Sequence, residues 1–226
     1  MFWSFCSAKG GAGVSVLAAS VALRSAAGGQ RVLLVDLGGD QPDLLGVGVD
    51  AAAGVTDWLA ADVGADALAG LTVPVADGLD LLPLGAGDTT AGPERVVQLG
   101  AATAAQWDLV VADVGVLRPG PFDPRQLLVT AGDRTTLVVR ACFLGLSRAG
   151  RLSVPVDDVV EVAEGGRALR TVDIEGVLGQ PVVARVAVDP AIARAVDAGL
   201  LTARLPRPLR RVADTLQRPT RARHAA

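Results

Sequence analysis

The chain contains no asparagine and no tyrosine, and it has one lysine and one histidine in 226 residues. Aromatic residues make up 3% of the sequence and hydrophobic residues 50%, so alanine, valine and leucine must form the core. The two cysteines, Cys6 and Cys142, lie in apolar strand-like runs, which supply neither a disulfide framework nor metal-binding spacing. We therefore expect two reduced core thiols. With 20% charged residues and a mean hydropathy of +0.42, the composition excludes a disordered chain.

The length and the first residues limit the domain organisation and the location. Met1–Ser7 has no basic region and no small-residue cleavage site, so it does not resemble a signal peptide. No uncharged apolar window of about 18 residues is free of glycine-loop features, so no membrane-spanning helix is predicted. We expect a cytoplasmic protein, with a peripheral membrane location as the alternative. The length predicts one domain, residues 1–217, followed by a basic, flexible tail, residues 218–226.

Short apolar runs alternate with helical segments along most of the chain. The runs predicted as strands are Phe2–Cys6, Arg31–Val35, Leu79–Leu82, Leu109–Ala112, Thr136–Val139, Val159–Val162 and Val182–Val186. The segments predicted as helices are Val14–Ala27, Pro93–Ala105, Pro190–Ala198 and Leu209–Leu216. Continuous β-branched and leucine runs are typical of strands buried on both faces. The alternation predicts an α/β fold with a mostly parallel, doubly wound sheet flanked by helices.

The one lysine, Lys9, lies in a glycine-rich loop between the first predicted strand and the first predicted helix. Such a loop can hold a phosphate, because its backbone N–H groups and the helix dipole both favour an anion. A standard P-loop reads GxxxxGK[ST]. Gly13 and Ser15 fit this pattern, but Val14 occupies the lysine position. By the generic motif alone, a glycine turn that serves only packing remains the alternative.

The residues around Lys9 fit a second form of this motif better. Lys9, Gly10, Gly11, Gly13 and Ser15 resemble the deviant Walker A motif, KGGxGK[ST], of the MinD/ParA family of P-loop ATPases. The likeness runs from residue 2 to about residue 217, through Val32–Asp36, Asp40–Leu44, Gly54–Leu59, Gly78–Pro83, Trp107–Asp113 and Val183–Pro190. Two of these segments, Gly54–Leu59 and Gly78–Pro83, are similar to the CpaE/TadZ-like branch, which is associated with pilus assembly and septum-site placement.

The resemblance implies a nucleotide site. Lys9 would reach the phosphates of the partner subunit in an ATP-bound dimer, although a solvated loop lysine is the simpler alternative. Ser15 and Asp113 would hold Mg²⁺; otherwise Ser15 is a helix cap and Asp113 a turn residue. Asp36 matches the first aspartate of the family's D-x-D pair. The other cofactor-binding candidates are Gly10, Gly11, Ala12, Gly13, Val14 and Val16 at the phosphates, and Ala187 and Val188 at the base.

Two departures from the family pattern weaken the implied chemistry. Val14 removes the cation that touches the β- and γ-phosphates, a charge-assisted contact of roughly 1.5–3 kcal/mol. The affinity for ATP is then expected to be ~10- to 100-fold lower. The family's water-positioning aspartate is Gly38 here, and glycine cannot orient or deprotonate water. Asp40 is the weak catalytic candidate in its place. We therefore expect weak binding of ATP or ADP with Mg²⁺, and slow or no hydrolysis.

The implied function is nucleotide-linked homodimerisation and recruitment of a protein partner that positions a pilus, septum or partition apparatus. Two other hypotheses stay open. One is a pseudo-ATPase scaffold that binds no nucleotide, and the other is an active ATPase that uses Lys9 and Asp40 in altered roles. Arg140, which follows the predicted strand Thr136–Val139, is either a rim residue or a contact to phosphate or partner.

The carboxyl-terminal segment is basic although the formal net charge of the chain is -3. Gly199–Ala226 contains seven arginines and one aspartate, and an apolar stripe at helical spacing comprises Leu205, Leu209, Val212 and Leu216. Pro206 and Pro208 are expected to shorten the helix to about Leu209–Leu216. Three interpretations remain: a terminal helix docked by its stripe, an amphipathic helix on an anionic membrane, or a contact to DNA phosphates.

Overall fold

The computed structural model describes residues 1–48, 53–87, 92–119 and 123–218, and one eight-stranded sheet organises them. The strands are β1 (Phe2–Ser7), β2 (Val32–Asp36), β3 (Val73–Ala76), β4 (Leu79–Leu82), β5 (Leu109–Val116), β6 (Arg134–Arg140), β7 (Asp158–Ala163) and β8 (Val182–Ala187). Their order across the sheet is β3-β4-β2-β5-β1-β6-β7-β8, and only the pair β3–β4 is antiparallel. Parallel strands place their carboxyl ends at one edge of the sheet, where α/β proteins bind ligands.

Helices cover both faces of this sheet. They are α1 (Val14–Ala26), α2 (Gln41–Leu45), α3 (Val55–Ala60), α4 (Asp66–Ala69), α5 (Pro93–Ala104), α6 (Pro124–Ala131), α7 (Phe143–Ala149), α8 (Thr171–Leu178), α9 (Pro190–Asp197) and α10 (Arg207–Leu216). One buried cluster joins the sheet to α1, α2 and α10, and a second joins it to α3, α5, α6, α7 and α8. The predicted doubly wound α/β fold is therefore confirmed. The strand β3 and the helices α2 to α4 and α6 to α8 were not predicted.

The central strands divide their side chains between the two clusters. In β2, Leu33 and Val35 pack in one cluster, whereas Val32 and Leu34 pack in the other, as the alternation of a strand requires. Fully burying one such side chain contributes about 1.5–3 kcal/mol. The thiol of Cys6 is also buried here, and burial raises its pKa to about 12. Cys142 is only partly buried, so the prediction of two core thiols is wrong for the second cysteine.

The last helix, α10, begins at Arg207, two residues before the predicted start. Pro208 is tolerated because the first turn of a helix has no intrahelical acceptor for its backbone N–H groups. The buried residues of α10 are Leu209, Val212, Ala213 and Leu216. They pack against α1 and β8, and Arg24 of α1 forms an ion pair with Asp214 at 2.6 Å. The apolar stripe is thus used for docking within the chain.

Two further observations concern the carboxyl-terminal tail and the length of the helices. Most of the predicted flexible tail, residues 219–226, lies outside the described residues. Among the helices in the described ranges, none is long and apolar enough to cross a bilayer.

Candidate functional site

The glycine-rich loop connects the carboxyl end of β1 to the amino end of α1. Gly13 caps α1 with φ 89°, a left-handed conformation that is open to glycine and strained for other residues. The first backbone N–H groups of α1 have no acceptor within the helix and face the loop. The Ser7 hydroxyl donates to the Lys9 carbonyl at 3.0 Å and holds the start of the loop. This geometry is of the kind that binds anions at helix amino termini.

Two cavities lie on either side of this loop. One cavity, of about 410 Å³, is lined by the loop, by Gly38 and Asp40 of the connection after β2, by Gly115 of β5 and by Arg125 of α6. We call it the polar cavity because the charged side chains of Asp40 and Arg125 line it. The apolar cavity, of about 290 Å³, is lined by residues of β8, of α9 and of the connection between them, including Val186, Ala187, Val188 and Ile192. Both are lined by the shared residues Gly11, Ala12, Gly13 and Val16. The predicted phosphate residues Gly10 to Val16 and the predicted base contacts Ala187 and Val188 are therefore brought together around one loop.

Asp36 and Asp113 are paired residues on the neighbouring strands β2 and β5, and both are buried. Asp36 accepts hydrogen bonds from the backbone N–H groups of Gly38 at 3.0 Å, Gly39 at 2.7 Å and Gln41 at 3.1 Å. Burial raises the pKa of Asp36 to about 6, and the charge of Asp113 adds to this against the lowering effect of the hydrogen bonds. Asp36 therefore shapes the connection after β2, and it does not itself line either cavity.

Asp113 is hydrogen-bonded to the side chain of Ser15, in the first turn of α1. Burial raises its pKa, and hydrogen bonds with the Ser15 and Gln41 side chains and the Gly115 backbone oppose this effect. No lysine or arginine of the described ranges forms an ion pair with Asp36 or Asp113. Two adjacent buried carboxylates without a cation favour either protonation or a bound cation.

Gln41, which the sequence did not single out, links the predicted metal residues. It is fully buried, and its amide nitrogen donates to the Ser15 carbonyl at 3.0 Å and to Asp113 Oδ2 at 2.8 Å. Its amide oxygen, Oε1, is buried without a hydrogen-bond partner. The segment Asp40–Leu44 was noticed in the sequence, but nothing in it distinguishes a buried glutamine from an exposed one.

The residues around Asp113 fit Mg²⁺. The Ser15 hydroxyl, the Asp113 carboxylate and the unpartnered Gln41 oxygen are hard oxygen donors of the kind that this cation prefers. No group of three or more acidic, histidine or cysteine side chains that could together hold a metal ion occurs in the part of the chain that the structure describes. Mg²⁺ is held in many nucleotide sites by one or two protein ligands together with waters and phosphate oxygens, so this sparse donor set suffices.

Lys9 lies away from the polar cavity of its own subunit. It lines a small cavity with Arg140, Cys142 and Gly145, and its Cδ comes within 4.0 Å of the place that a Cβ on Gly145 would take. The side chain therefore follows the connection from β6 to α7, where Phe143 is 81% exposed. Lys9 is not among the residues that line the polar cavity.

Two arginines flank the loop on opposite sides. Arg140 lines the apolar cavity and the Lys9 cavity; its Nε is buried without a partner, and its Nη2 lies 3.8 Å from Glu164 Oε2. Arg125, at the start of α6, lines the polar cavity. Nothing in the sequence pointed to Arg125, because it lies more than a hundred residues after the loop and belongs to no motif.

The two predicted departures from the family motif, Val14 and Gly38, both line the polar cavity. A Cβ added to Gly38 would come 3.5 Å from Asp113 Oδ2, so this position faces the candidate metal site. Asp40 is exposed, caps α2 without a side-chain hydrogen bond, and lines the same cavity. Gly38, where the family pattern has an aspartate, and Asp40, the candidate in its place, therefore both lie near the loop.

This architecture is that of MinD/ParA-type P-loop proteins. A ParA family ATPase from Chlorobium tepidum TLS superposes with a TM-score of 0.75 at 22% identity, over 94% of this chain and 95% of its own. MinD in the MinC:MinD cell division complex of Aquifex aeolicus gives 0.75 at 19% identity, over 95% of each chain. The septum site-determining protein MinD from Pyrococcus horikoshii OT3, complexed with Mg-ADP, gives 0.72 at 19% identity, over 95% of this chain and 93% of its own. These identities establish a shared fold.

A family model adds sequence evidence for the first part of the chain. The model described as cellulose biosynthesis protein BcsQ matches residues 4–115, just under half of the chain. The matched segment contains the loop, the connection after β2 and Asp113. The comparison with curated proteins finds no matching sequence.

Proposed function

We propose that this protein is a MinD/ParA-like nucleotide-binding protein that holds ATP or ADP weakly, together with Mg²⁺, at the loop of residues 9–16. The observation that carries this proposal is the arrangement of two cavities on either side of one glycine loop, with Ser15, Asp113 and Gln41 clustered at its helical end. A base in the apolar cavity would contact the backbone at Ala187 and Val188. The phosphates would follow the loop towards Ser15.

The chain's own residues support binding better than hydrolysis. Mg²⁺, when bound, would neutralise the phosphate oxygens, and Ser15, Asp113 and Gln41 would hold it. Gly38 supplies no group that could position a water, and we therefore propose that hydrolysis is slow or absent. A pseudo-ATPase scaffold that binds no nucleotide is the second candidate. An active ATPase that uses Lys9 and Asp40 is the third, and the exposed position of Asp40 in the polar cavity favours it.

The proposed biological role is nucleotide-linked dimerisation and recruitment of a protein partner. The MinD relative is known in complex with MinC, and the matching family model is described as a cellulose biosynthesis protein. A positioned machine such as a pilus, a septum, a partition apparatus or a cellulose synthesis apparatus would fit these relatives. Membership of the CpaE/TadZ-like branch stays a prediction, as do the single domain 1–217 and the cytoplasmic location.

Any contact of α10 with an anionic membrane or DNA would be electrostatic. Its apolar residues are buried, whereas Arg207, Arg210 and Arg211 are exposed beside Arg24. Without an apolar face to insert, such a contact is screened at physiological salt. We therefore propose that it assists a protein partner and does not anchor the chain alone.

Calorimetric titration of the unaltered chain with ATP and Mg²⁺ tests the proposed nucleotide site. We expect weak, saturable binding that requires Mg²⁺ and raises the melting temperature. A Ser15→Ala variant should bind nucleotide with a reduced dependence on Mg²⁺, since it lacks one of the oxygen donors. If millimolar ATP produces neither heat nor a shift in melting temperature, the proposal is wrong and the scaffold hypothesis takes its place.

A Lys9→Ala variant tests the proposed cross-subunit contact. We expect this variant to bind ADP as the unaltered chain does, but to dimerise about 10-fold more weakly with ATP, because one charge-assisted phosphate contact is lost. Sedimentation velocity with ATP or ADP measures the difference. A Lys9→Arg variant serves as the control that keeps the charge. Equal dimerisation of Lys9→Ala and the unaltered chain would remove the cross-subunit role.

A further inference from the structure

The polar cavity contains one cation among the described residues that line it, and that cation is Arg125. Val14 supplies no charge to the loop, and Lys9 lies on the other side. The carboxylate of Asp40 lines the cavity, and that of Asp113 lies behind Ser15. A nucleotide with several negative charges therefore needs a cation here besides Mg²⁺.

The Arg125 guanidinium is held in place from two sides. Its Nε and Nη2 donate to the two carboxylate oxygens of Asp123 at 3.0 and 2.8 Å. Its Nη1 donates to the carbonyl of Val114, in β5, at 3.3 Å. Asp123 is itself fixed, because it caps α6 by accepting from the Arg125 backbone N–H at 3.0 Å. A guanidinium held by these hydrogen bonds is ordered before any ligand arrives. Little side-chain entropy therefore remains to be lost on binding.

The guanidinium keeps two donors that these contacts do not use, on a side chain that lines the polar cavity. Arginine has five N–H groups, and the three contacts above use one on each nitrogen, which leaves one on Nη1 and one on Nη2. Gly115 has φ 70° and no side chain; a Cβ there would come 3.9 Å from Nη1 and 3.4 Å from the Gly38 α-carbon. The glycine thus leaves the path open between Arg125 and the connection after β2.

The order of the cavities indicates which part of a nucleotide Arg125 would meet. The apolar cavity on one side of the loop suits a base, and the loop residues shared by both cavities would hold the phosphates nearest to it. The end of the phosphate chain then enters the polar cavity, where Arg125 lies. ADP, with one phosphate fewer, would end earlier.

We propose that Arg125 binds the terminal phosphate of ATP and replaces part of the charge that Val14 removes from the loop. This inference rests on the proposed nucleotide-binding function. It makes Arg125 a determinant of preference for ATP over ADP, because only the third phosphate would extend into the cavity that Arg125 lines. Asp123 acts as a positioning residue for Arg125.

Calorimetric titration of ATP and of ADP into an Arg125→Ala variant tests the inference. We expect the affinity for ATP to fall about 10-fold and the affinity for ADP to stay within about twofold of the unaltered chain. An Arg125→Gln variant, which keeps a hydrogen-bond donor without the charge, should show the same selective loss. An Arg31→Ala variant is the matched control, since Arg31 forms a similar aspartate pair with Asp108 at the opposite edge of the sheet.

The outcomes separate this inference from the proposed function. If the unaltered chain binds neither nucleotide, both the function and the inference are wrong. If the unaltered chain binds ATP and both Arg125 variants bind it equally well, only the inference is overturned. An equal loss for ATP and ADP in Arg125→Gln would also overturn it, because that result indicates a structural role.

Discussion

A Val14→Lys variant is expected to bind ATP about 10- to 100-fold more tightly than the unaltered chain, which corresponds to roughly 1.5–3 kcal/mol. Val14 is 6% exposed and lines the polar cavity at the amino end of α1. A lysine at this position can bury its aliphatic stem where valine packs now and carry its ammonium group to the cavity. There the ammonium would neutralise charge on the β- and γ-phosphates.

The local electrostatics favour this substitution even without nucleotide. The new ammonium group would approach the buried carboxylate of Asp113, whose pKa burial now raises, and the exposed carboxylate of Asp40. An opposite charge near a buried carboxylate stabilises its ionised form. We therefore expect the variant to fold with little loss of stability, which a thermal melt will check.

A Val14→Met variant is the control for the size of the new side chain. It has a long, flexible stem and no charge, so it should bind ATP as weakly as the unaltered chain does. Calorimetric titration with ATP and Mg²⁺ compares the three proteins. If the lysine and methionine variants bind ATP equally, the loop does not hold phosphate in the way proposed.

The sequence predicted the parts of the site that depend on local patterns. Strand, glycine loop and helix are consecutive, but the generic P-loop pattern left a packing turn open, and only the resemblance to KGGxGK[ST] singled out the loop. The family resemblance pointed to Asp36 and Asp113 separately, and the structure pairs them directly on β2 and β5. The buried strands are continuous apolar runs in the sequence, and this explains why the central sheet was predicted correctly.

The sequence did not reveal the groups that depend on packing between distant segments. Gln41 acts through an amide that is buried against Ser15 and Asp113, and no pattern in a single sequence reports burial of one polar side chain. Arg125 reaches the cavity only because α6 begins beside the end of β5. The short helices α2 to α4 have too few residues to show a helical period, and Pro74 in β3 argues against a strand unless it lies at an edge.

A Gly38→Asp substitution in the Val14→Lys background is expected to raise ATP turnover at least ~100-fold over Val14→Lys alone. A positioned general base contributes about 10²- to 10⁴-fold to a rate, and Gly38 is where the family pattern has its water-positioning aspartate. The backbone allows the change: Gly38 lies outside the left-handed region, and a Cβ there makes only an ordinary contact of 3.5 Å with Asp113 Oδ2.

The short distance between position 38 and Asp113 allows a second measurement that does not depend on turnover. A carboxylate at position 38 would lie beside Asp113, and the two would repel each other unless a cation lies between them. Mg²⁺ should therefore raise the melting temperature of Gly38→Asp more than that of a Gly38→Asn control, which has the same shape without the charge. The asparagine variant should also show no gain in turnover, since an amide cannot accept the proton of the attacking water.

The outcome distinguishes between two positions for the catalytic carboxylate. If Gly38→Asp binds ATP and Mg²⁺ but turns over no faster than Gly38→Asn, water is not positioned from the end of β2. The next candidate for turnover in the Val14→Lys protein is then Asp40, which lines the same cavity and makes no side-chain hydrogen bond as the cap of α2. An Asp40→Ala substitution that abolishes this turnover would identify Asp40 as the catalytic group. Turnover that survives it would mean that bound phosphates and Mg²⁺ alone support slow hydrolysis.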